Sequence, residues 1–319
     1  MTERLPDACL KLLKRQCSVI ASWQTGSVGL APDRVRGLLR TGRWQRVGHG
    51  VYAAFTGRPS RDAMLWAAVL RTGPLSVLSH ETAGGLYGIV NDVGTSIHVT
   101  IPHRQHLQPV PGLVIHRTSR FLQVADPGFG PPRTQIDETV LDLAEGAATF
   151  DDVVALLARS CQRRLTTPYL LNWALEKRPR VRWRREISLA LQDVADGVNS
   201  VLEFRYLHDV ERAHGLPASE RQAPAQHHGH GIFRDVWYRK YGVLVELDGK
   251  ASHPDEQRWK DKRRDNAAAV DGCFSLRYGW ADIHERACET ASEVGTILTR
   301  QGWNGTLRRC GPACRLPFP

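Results

Sequence analysis

The chain lacks any apolar run near the roughly 18 residues that a membrane-spanning helix needs, which excludes that class of reading. Its opening stretch, Met1 to Leu13, lacks the apolar segment of a secretory signal, so a cytoplasmic protein with no membrane partner is expected. Cysteine is sparse and unpaired. Cys17, Cys161, Cys273 and Cys288 stand singly among apolar or helical neighbours. Cys310 and Cys314 share a Gly/Pro-rich tail with no second pair near them. A zinc site wants four ligands, usually at tighter spacing, so buried or incidental thiols are the reading here. His80, His98, His103, His106 and His116 likewise lack a metal-ligand spacing with a supporting carboxylate, and read as structural or DNA-facing.

Acidic residues are scarce at the front. The first sixty residues hold ten basic side chains against Glu3, Asp7 and Asp33, a surplus of seven out of a net charge of +10 for the whole chain. With 42% hydrophobic and 24% charged residues the rest is ordinary for a folded protein. At 319 residues it suits two or three domains. A pI near 9.5 favours a polyanionic partner such as nucleic acid.

Periodicity divides the chain into five segments. Residues 1–60 predict helices near Leu10 to Cys17, Val19 to Val28 and Asp33 to Arg40, then a hairpin through Trp44–Val47 and Val51–Tyr52. Three helices and a hairpin make a winged helix-turn-helix. Arg34, Arg36 and Arg40 fall on its recognition helix and Arg43 and Arg46 at its wing, which suits DNA contact. Residues 61–177 predict an α+β middle domain, with strands at 97–102 and 113–117, a turn at 131–134 and helices at 135–144 and 150–159. Residues 178–198 form a basic hinge and a helix, suited equally to lie along a phosphate backbone or to be a plain solvated helix start. Residues 199–303 predict a helix containing Glu203, a hairpin and a further strand and helix. Residues 304–319 are a tail.

The hairpin carries the chemistry. Residues two apart on a strand share a face, so Glu246, Asp248 and Lys250 fall together, and Asp235 on the preceding strand lies across from them. Converging carboxylates repel unless a cation neutralises them, either a metal ion or, on an exposed edge hairpin, the neighbouring Arg234, Arg239 and Lys240. Mg²⁺, or Mn²⁺ in its place, takes oxygen ligands of this kind, which makes Asp235, Glu246 and Asp248 candidate metal ligands. A neighbouring Lys250 would assist the attacking water.

Downstream residues extend the pattern. The strand with Asp235, the sequence Glu246-Leu247-Asp248-Gly249, His253, the Asp261 to Asp265 helix and Gly272 to Arg277 together resemble a predicted endonuclease family related to the very-short-patch-repair (Vsr) endonucleases. Glu203 matches that family's early helical Glu. The resemblance implies a restriction-endonuclease-like core of the PD-(D/E)xK type, metal-dependent phosphodiester cleavage, and supporting roles for Glu203 and His253 at the metal or phosphate. Lys250 is the expected lysine when counted from Asp248. Counted from Glu246, that place holds Asp248. The front, Gly42 to Val47 with Gly50-Val51-Tyr52, is similar to the wing of the AbiEi-type antitoxin and regulator family of type IV toxin–antitoxin systems, and the middle block to the segment that follows that wing.

The expected protein is therefore an α/β multidomain DNA endonuclease, with a role in phage defence or toxin–antitoxin biology. The alternatives are a non-catalytic operator-binding regulator or antitoxin, and a nuclease of RNA or branched DNA. DNA is the expected partner. A cognate toxin and a homodimer are compatible with the sequence.

Overall fold

A computed structural model describes residues 4–90, 95–227, 230–248 and 272–316. Lys250, His253 and the helix expected over Asp261 to Asp265 lie outside the described residues. The chain is mixed α/β with three sheets. It divides into two compact units, one of residues 1–147 with 173–179, the other of residues 148–172 with 180–319.

The first unit opens with α1 (Asp7–Arg15), β1 (Val19–Ala21), α2 (Ser22–Thr25), α3 (Pro32–Arg40), β2 (Gln45–Gly48) and β3 (Val51–Ala53). Val19 to Ala21 was expected in a helix and is a strand. Cys17 and Ser18 take positive φ and break the preceding helix. Val19, Ile20 and Ala21 are then buried on both faces and pair with Ala53, Tyr52 and Val51. A fully buried three-residue apolar run is better placed in a sheet centre than on a helix. α3 starts on Pro32, whose missing N–H costs nothing at a first helical turn. It buries Val35 and Leu38 with Cys9, Leu13 and Trp44. Gly50 closes the hairpin at φ +66°, and its carbonyl accepts from the Ser22 N–H at 2.7 Å.

After α4 (Arg61–Thr72) come β4 (Val77–Leu78), α5 (His80–Leu86), β5 (Ile97–Pro102), β6 (Leu113–Thr118), α6 (Phe121–Val124), β7 (Ala125–Asp126), β8 (Arg133–Thr134) and α7 (Ile136–Gly146). These strands form a sheet in the order β6-β5-β4-β8-β7. The expected turn at 131–134 is thus partly a strand, because Arg133 and Thr134 fill the place between β4 and β7.

Two clusters of ionisable groups hold this unit. Arg178, expected on a phosphate backbone, is instead buried against α7. It donates to the Glu138 carboxylate at 2.7 Å and to Asp142 at 2.7 Å, and Arg120 reaches Glu138 at 2.5 Å. A buried guanidinium with hydrogen-bonded carboxylates is costly to break from one side. The second cluster stacks His80, His98 and His116. The His80 and His116 ring centroids lie 3.5 Å apart, and His98 Nδ1 lies 3.0 Å from His116 Nε2. Glu81 Oε2 is 3.0 Å from His98 Nδ1, and Asp142 Oδ2 is 3.6 Å from His80 Nδ1. Burial brings both His80 and His116 down to about 4, with the neighbouring rings adding to the effect at His116.

The second unit holds α8 (Phe150–Gln162), α10 (Arg184–Ala195), α11 (Val201–Arg205), a π-helix (Tyr206–Arg212), β9 (Glu220–His227), β10 (His230–Tyr238), β11 (Val243–Asp248), β12 (Phe274–Gly279), α12 (Trp280–His284) and α13 (Ala287–Arg300). Helix α9 (Pro168–Glu176) crosses from it into the first unit. Its sheet runs β12-β11-β10-β9. β9, β10 and β11 are antiparallel neighbours, and β12 is parallel to β11, with Val245 opposite Leu276. One face packs Val236, Tyr238, Val243 and Val245 onto Leu202, Tyr206, Ile283 and Val294. The wider turn of the π-helix lets Tyr206 and Glu211, five residues apart, both be buried. Tyr238 donates to Glu211 at 3.1 Å, and Arg221 pairs with it at 3.0 Å.

Arg178→Met is expected to cost about 3 kcal/mol or more in denaturant unfolding, because it leaves Glu138 and Asp142 buried without their shared cation. In EDTA-treated protein, NMR should find the His80 and His116 rings titrating near pH 4. Their folded pKa lies below the unfolded value of about 6.5, so the unfolded chain binds more protons between the two. Stability should therefore fall as pH drops through that window and level off below it, with a shallower fall in His116→Gln.

Candidate functional site

The site is built where β10 and β11 part. Paired residues run from Tyr238↔Val243 to Val236↔Val245 and stop. One residue further on, Asp235 replaces a ladder carbonyl with its own carboxylate: Oδ2 accepts from the Leu247 N–H at 2.9 Å. On its other side β9 pairs at Arg234↔Ala223 and Val236↔Arg221. That register leaves Gln222 across from Asp235, and Gln222 takes φ +46°. Such a backbone is uncommon for a residue with a Cβ and costs on the order of 1 kcal/mol or more.

The strained residue sets the geometry. Gln222 Nε2 lies 3.3 Å from Asp235 Oδ1 and 3.3 Å from Glu203 Oε2. Glu203 comes from another element. Ser200 caps α11, accepting from the Glu203 N–H at 3.1 Å, and the Glu203 carboxylate reaches back to the Asn199 N–H at 3.1 Å and the Ser200 hydroxyl at 3.0 Å. Ser200 thus caps the helix, while the Glu203 carboxylate is held by the Asn199 N–H and the Ser200 hydroxyl beside the sheet. Glu203 is buried, and burial with the charge of Asp235 beside it raises its pKa. Two carboxylates, one from a helix start and one from strand β10, thus share one amide donor.

The other predicted residues stand differently. Glu246 is buried and bonded to Arg234 at 3.0 Å, both side chains being 2% exposed. Asp248 is exposed and lies 3.5 Å from Arg277 of β12. Asp235, Glu246 and Asp248 are not among the groups of three or more metal-capable side chains whose ligand atoms all fall within 4.8 Å of one another among the described residues. The oxygen donors of Asp235 and Glu203 suit a hard cation such as Mg²⁺, while Glu246 commits one oxygen to a guanidinium. Gln222 was not singled out from the sequence, and Arg234 only as a cation that could pair with exposed hairpin acids. The signal for Gln222 is a left-handed backbone, which no residue pattern carries.

The described residues contain two such groups: His80 with His98 and His116, and His214 with Cys288, Cys310 and Cys314. Neither was legible as a ligand set, because the members come from elements far apart in sequence. The isolated thiols of the sequence reading are therefore corrected: three of the seven meet in the fold.

At the front of the chain, Arg36, Arg40, Arg43 and Arg46 are exposed on α3 and around β2, and Arg34 is half-buried. Arg36 pairs with Asp33.

No model of a known protein family matches the chain, and no curated protein matches it significantly.

Because burial beside Asp235 raises the Glu203 pKa, the carboxyl favours folding when protonated and loses that contribution as pH rises through its folded pKa. In metal-free protein, Glu203→Gln should raise the thermal midpoint at neutral pH, and the gain should vanish on acidification. A calorimetric comparison at pH 4 and pH 7.5 checks this.

Proposed function

We propose that the second unit is a restriction-endonuclease-like nuclease core of the PD-(D/E)xK type. The observation that carries this reading is the junction of Glu203 and Asp235 on one Gln222 amide at the end of the β10–β11 ladder. The element order supports it: a helix, three antiparallel strands, and a fourth strand parallel to the third. Asp235 and Glu203 would hold a divalent cation, and Glu246 would join them with the oxygen that Arg234 does not engage in the 3.0 Å bond. Mg²⁺ or Mn²⁺ bound there would polarise a scissile phosphate and lower the pKa of a bound water. The Leu247 N–H and Gln222 amide fix the direction in which the Asp235 oxygens point. The Asn199 N–H and Ser200 hydroxyl do the same for Glu203. Asp248, beside Arg277, would face the phosphate side, with Lys250 and His253 following it in the chain.

The front of the first unit supports a winged-helix reading. α1, β1, α2, α3 and the β2–β3 hairpin follow in that order, with β1 added to the hairpin to give a three-stranded sheet. Arg40 at the end of α3 and Arg43 and Arg46 around β2 would contact phosphates, and Arg34 and Arg36 would face the groove. DNA is the proposed partner. A cognate toxin and pairing of two copies remain secondary proposals. A second reading, a regulator that binds DNA without cutting, is favoured by the Arg234–Glu246 pair, which neutralises one of the acids a metal would need.

Plasmid nicking with Mg²⁺ or Mn²⁺ separates the two. Wild type should cut, and Asp235→Ala and Glu203→Ala should each lose about a hundredfold or more. Equal cutting by all three would remove the nuclease assignment from this site. Binding without cutting in either metal would favour the regulator. Arg43→Ala and Arg46→Ala should each flatten the dependence of log binding constant on log salt by about 0.9, the release of one phosphate contact.

A further inference from the structure

The second unit ends in a stretch that Trp303 and Leu307 hold to the core and Arg308 ties to the carbonyls of residues 212–214. From Trp303 to Leu316 the chain has no helix or strand. Leu307 packs beside Gly295 on the core, where a Cβ at 295 would meet Leu307 Cδ1 at 2.9 Å. The Arg308 N–H then donates to the His214 carbonyl at 2.9 Å, and the Cys314 N–H to the Gly311 carbonyl at 3.1 Å, closing a turn between Cys310 and Cys314. These few contacts bring both tail cysteines to His214, just past the π-helix, and to Cys288, the second residue of α13.

Four potential metal ligands converge there. Cys288 Sγ lies 3.7 Å from Cys310 Sγ and 3.8 Å from Cys314 Sγ, and Cys314 Sγ lies 3.8 Å from His214 Nε2. All four ligand atoms fall within 4.8 Å of one another. Sulfurs placed tetrahedrally at about 2.3 Å from a zinc ion stand about 3.8 Å apart. The spacing of the three thiols is that of a zinc ligand shell. It is far longer than the roughly 2.05 Å of a disulfide, and a disulfide could join only two of the three. The imidazole is oriented for the same task. His214 is fully buried, and its Nδ1 lies 3.1 Å from the Val210 carbonyl one turn back. Nδ1 therefore carries the proton and Nε2 presents its lone pair to the sulfurs, the outer hydrogen bond that commonly fixes a metal-bound histidine.

We propose that His214, Cys288, Cys310 and Cys314 form a structural Cys₃His zinc site that fastens the tail to the second unit. Four protein ligands fill a tetrahedron and leave no open position for water or substrate, so the role is structural rather than catalytic. Soft thiolates also select zinc over the hard cation proposed at Asp235 and Glu203, so the two sites do not compete for one ion.

The full chain, purified through a tag that binds no metal, should retain one zinc ion by elemental analysis that the Cys310→Ser/Cys314→Ser variant lacks. Cobalt(II) in place of zinc should give the intense visible bands of a tetrahedral centre with sulfur-to-cobalt charge transfer. Those bands should vanish in the double variant, change in His214→Ala, and persist in Cys161→Ser and His116→Gln. If the cysteine variants do not fold, wild type titrated with an organomercurial should release zinc in step with thiol modification. Zinc retained undiminished in the folded double variant would overturn the site. So would wild type whose metal is released without thiol modification, or whose intact mass shows two of these cysteines oxidised to a disulfide.

Discussion

A carboxylate taken out of water must be met by a cation or by donors, and this constraint organises both units. Glu138 is met by Arg178 and Arg120, Glu211 by Arg221 with Tyr238, and Glu246 by Arg234. Glu203 and Asp235 are handled differently. Among the described contacts, their oxygens receive backbone N–H groups, one hydroxyl and a shared amide. The two carboxylates meet at Gln222 where the β10–β11 ladder stops, and Gln222 takes a left-handed backbone there.

Much of this was legible. Strands β5, β6, β10 and β11, helices α3, α7 and α8, and the β2–β3 hairpin lie where the pattern of apolar and turn residues predicts them. The Ser200 cap of the helix that carries Glu203 was readable in the same way. What escaped was decided by tertiary partners. Val19 to Ala21 became a strand because β3 was available to it. Arg178, in a run of arginines that looks solvated, is the one whose place falls over Glu138. Pairing of a hairpin acid with Arg234 was expected only at an exposed edge, whereas the Arg234–Glu246 bond is buried within a four-stranded sheet.

The metal-capable groups were the least legible of all. His80, His98 and His116 come from a helix start and two parallel strands. His214 and Cys288 lie some seventy residues apart. Spacing rules detect ligand sets that one loop or one helix supplies, and these sets are assembled by packing. The two kinds of donor also sort by hardness. Oxygen donors meet between the α11 start and β10 of the second unit, and sulfur donors at the meeting of its last helix and tail.

The path of the chain between the units has a consequence for modularity. Residues 148–172 belong to the second unit, 173–179 return to the first, and 180 onward belong to the second again. No single cut in the gene separates the two. A truncation after residue 147 removes Arg178 from Glu138, and one before residue 180 takes α8 from the second unit. Recombination that exchanged the second unit for another would have to carry the short 173–179 segment across intact. The front and rear are therefore bound to be inherited together, although each has its own core.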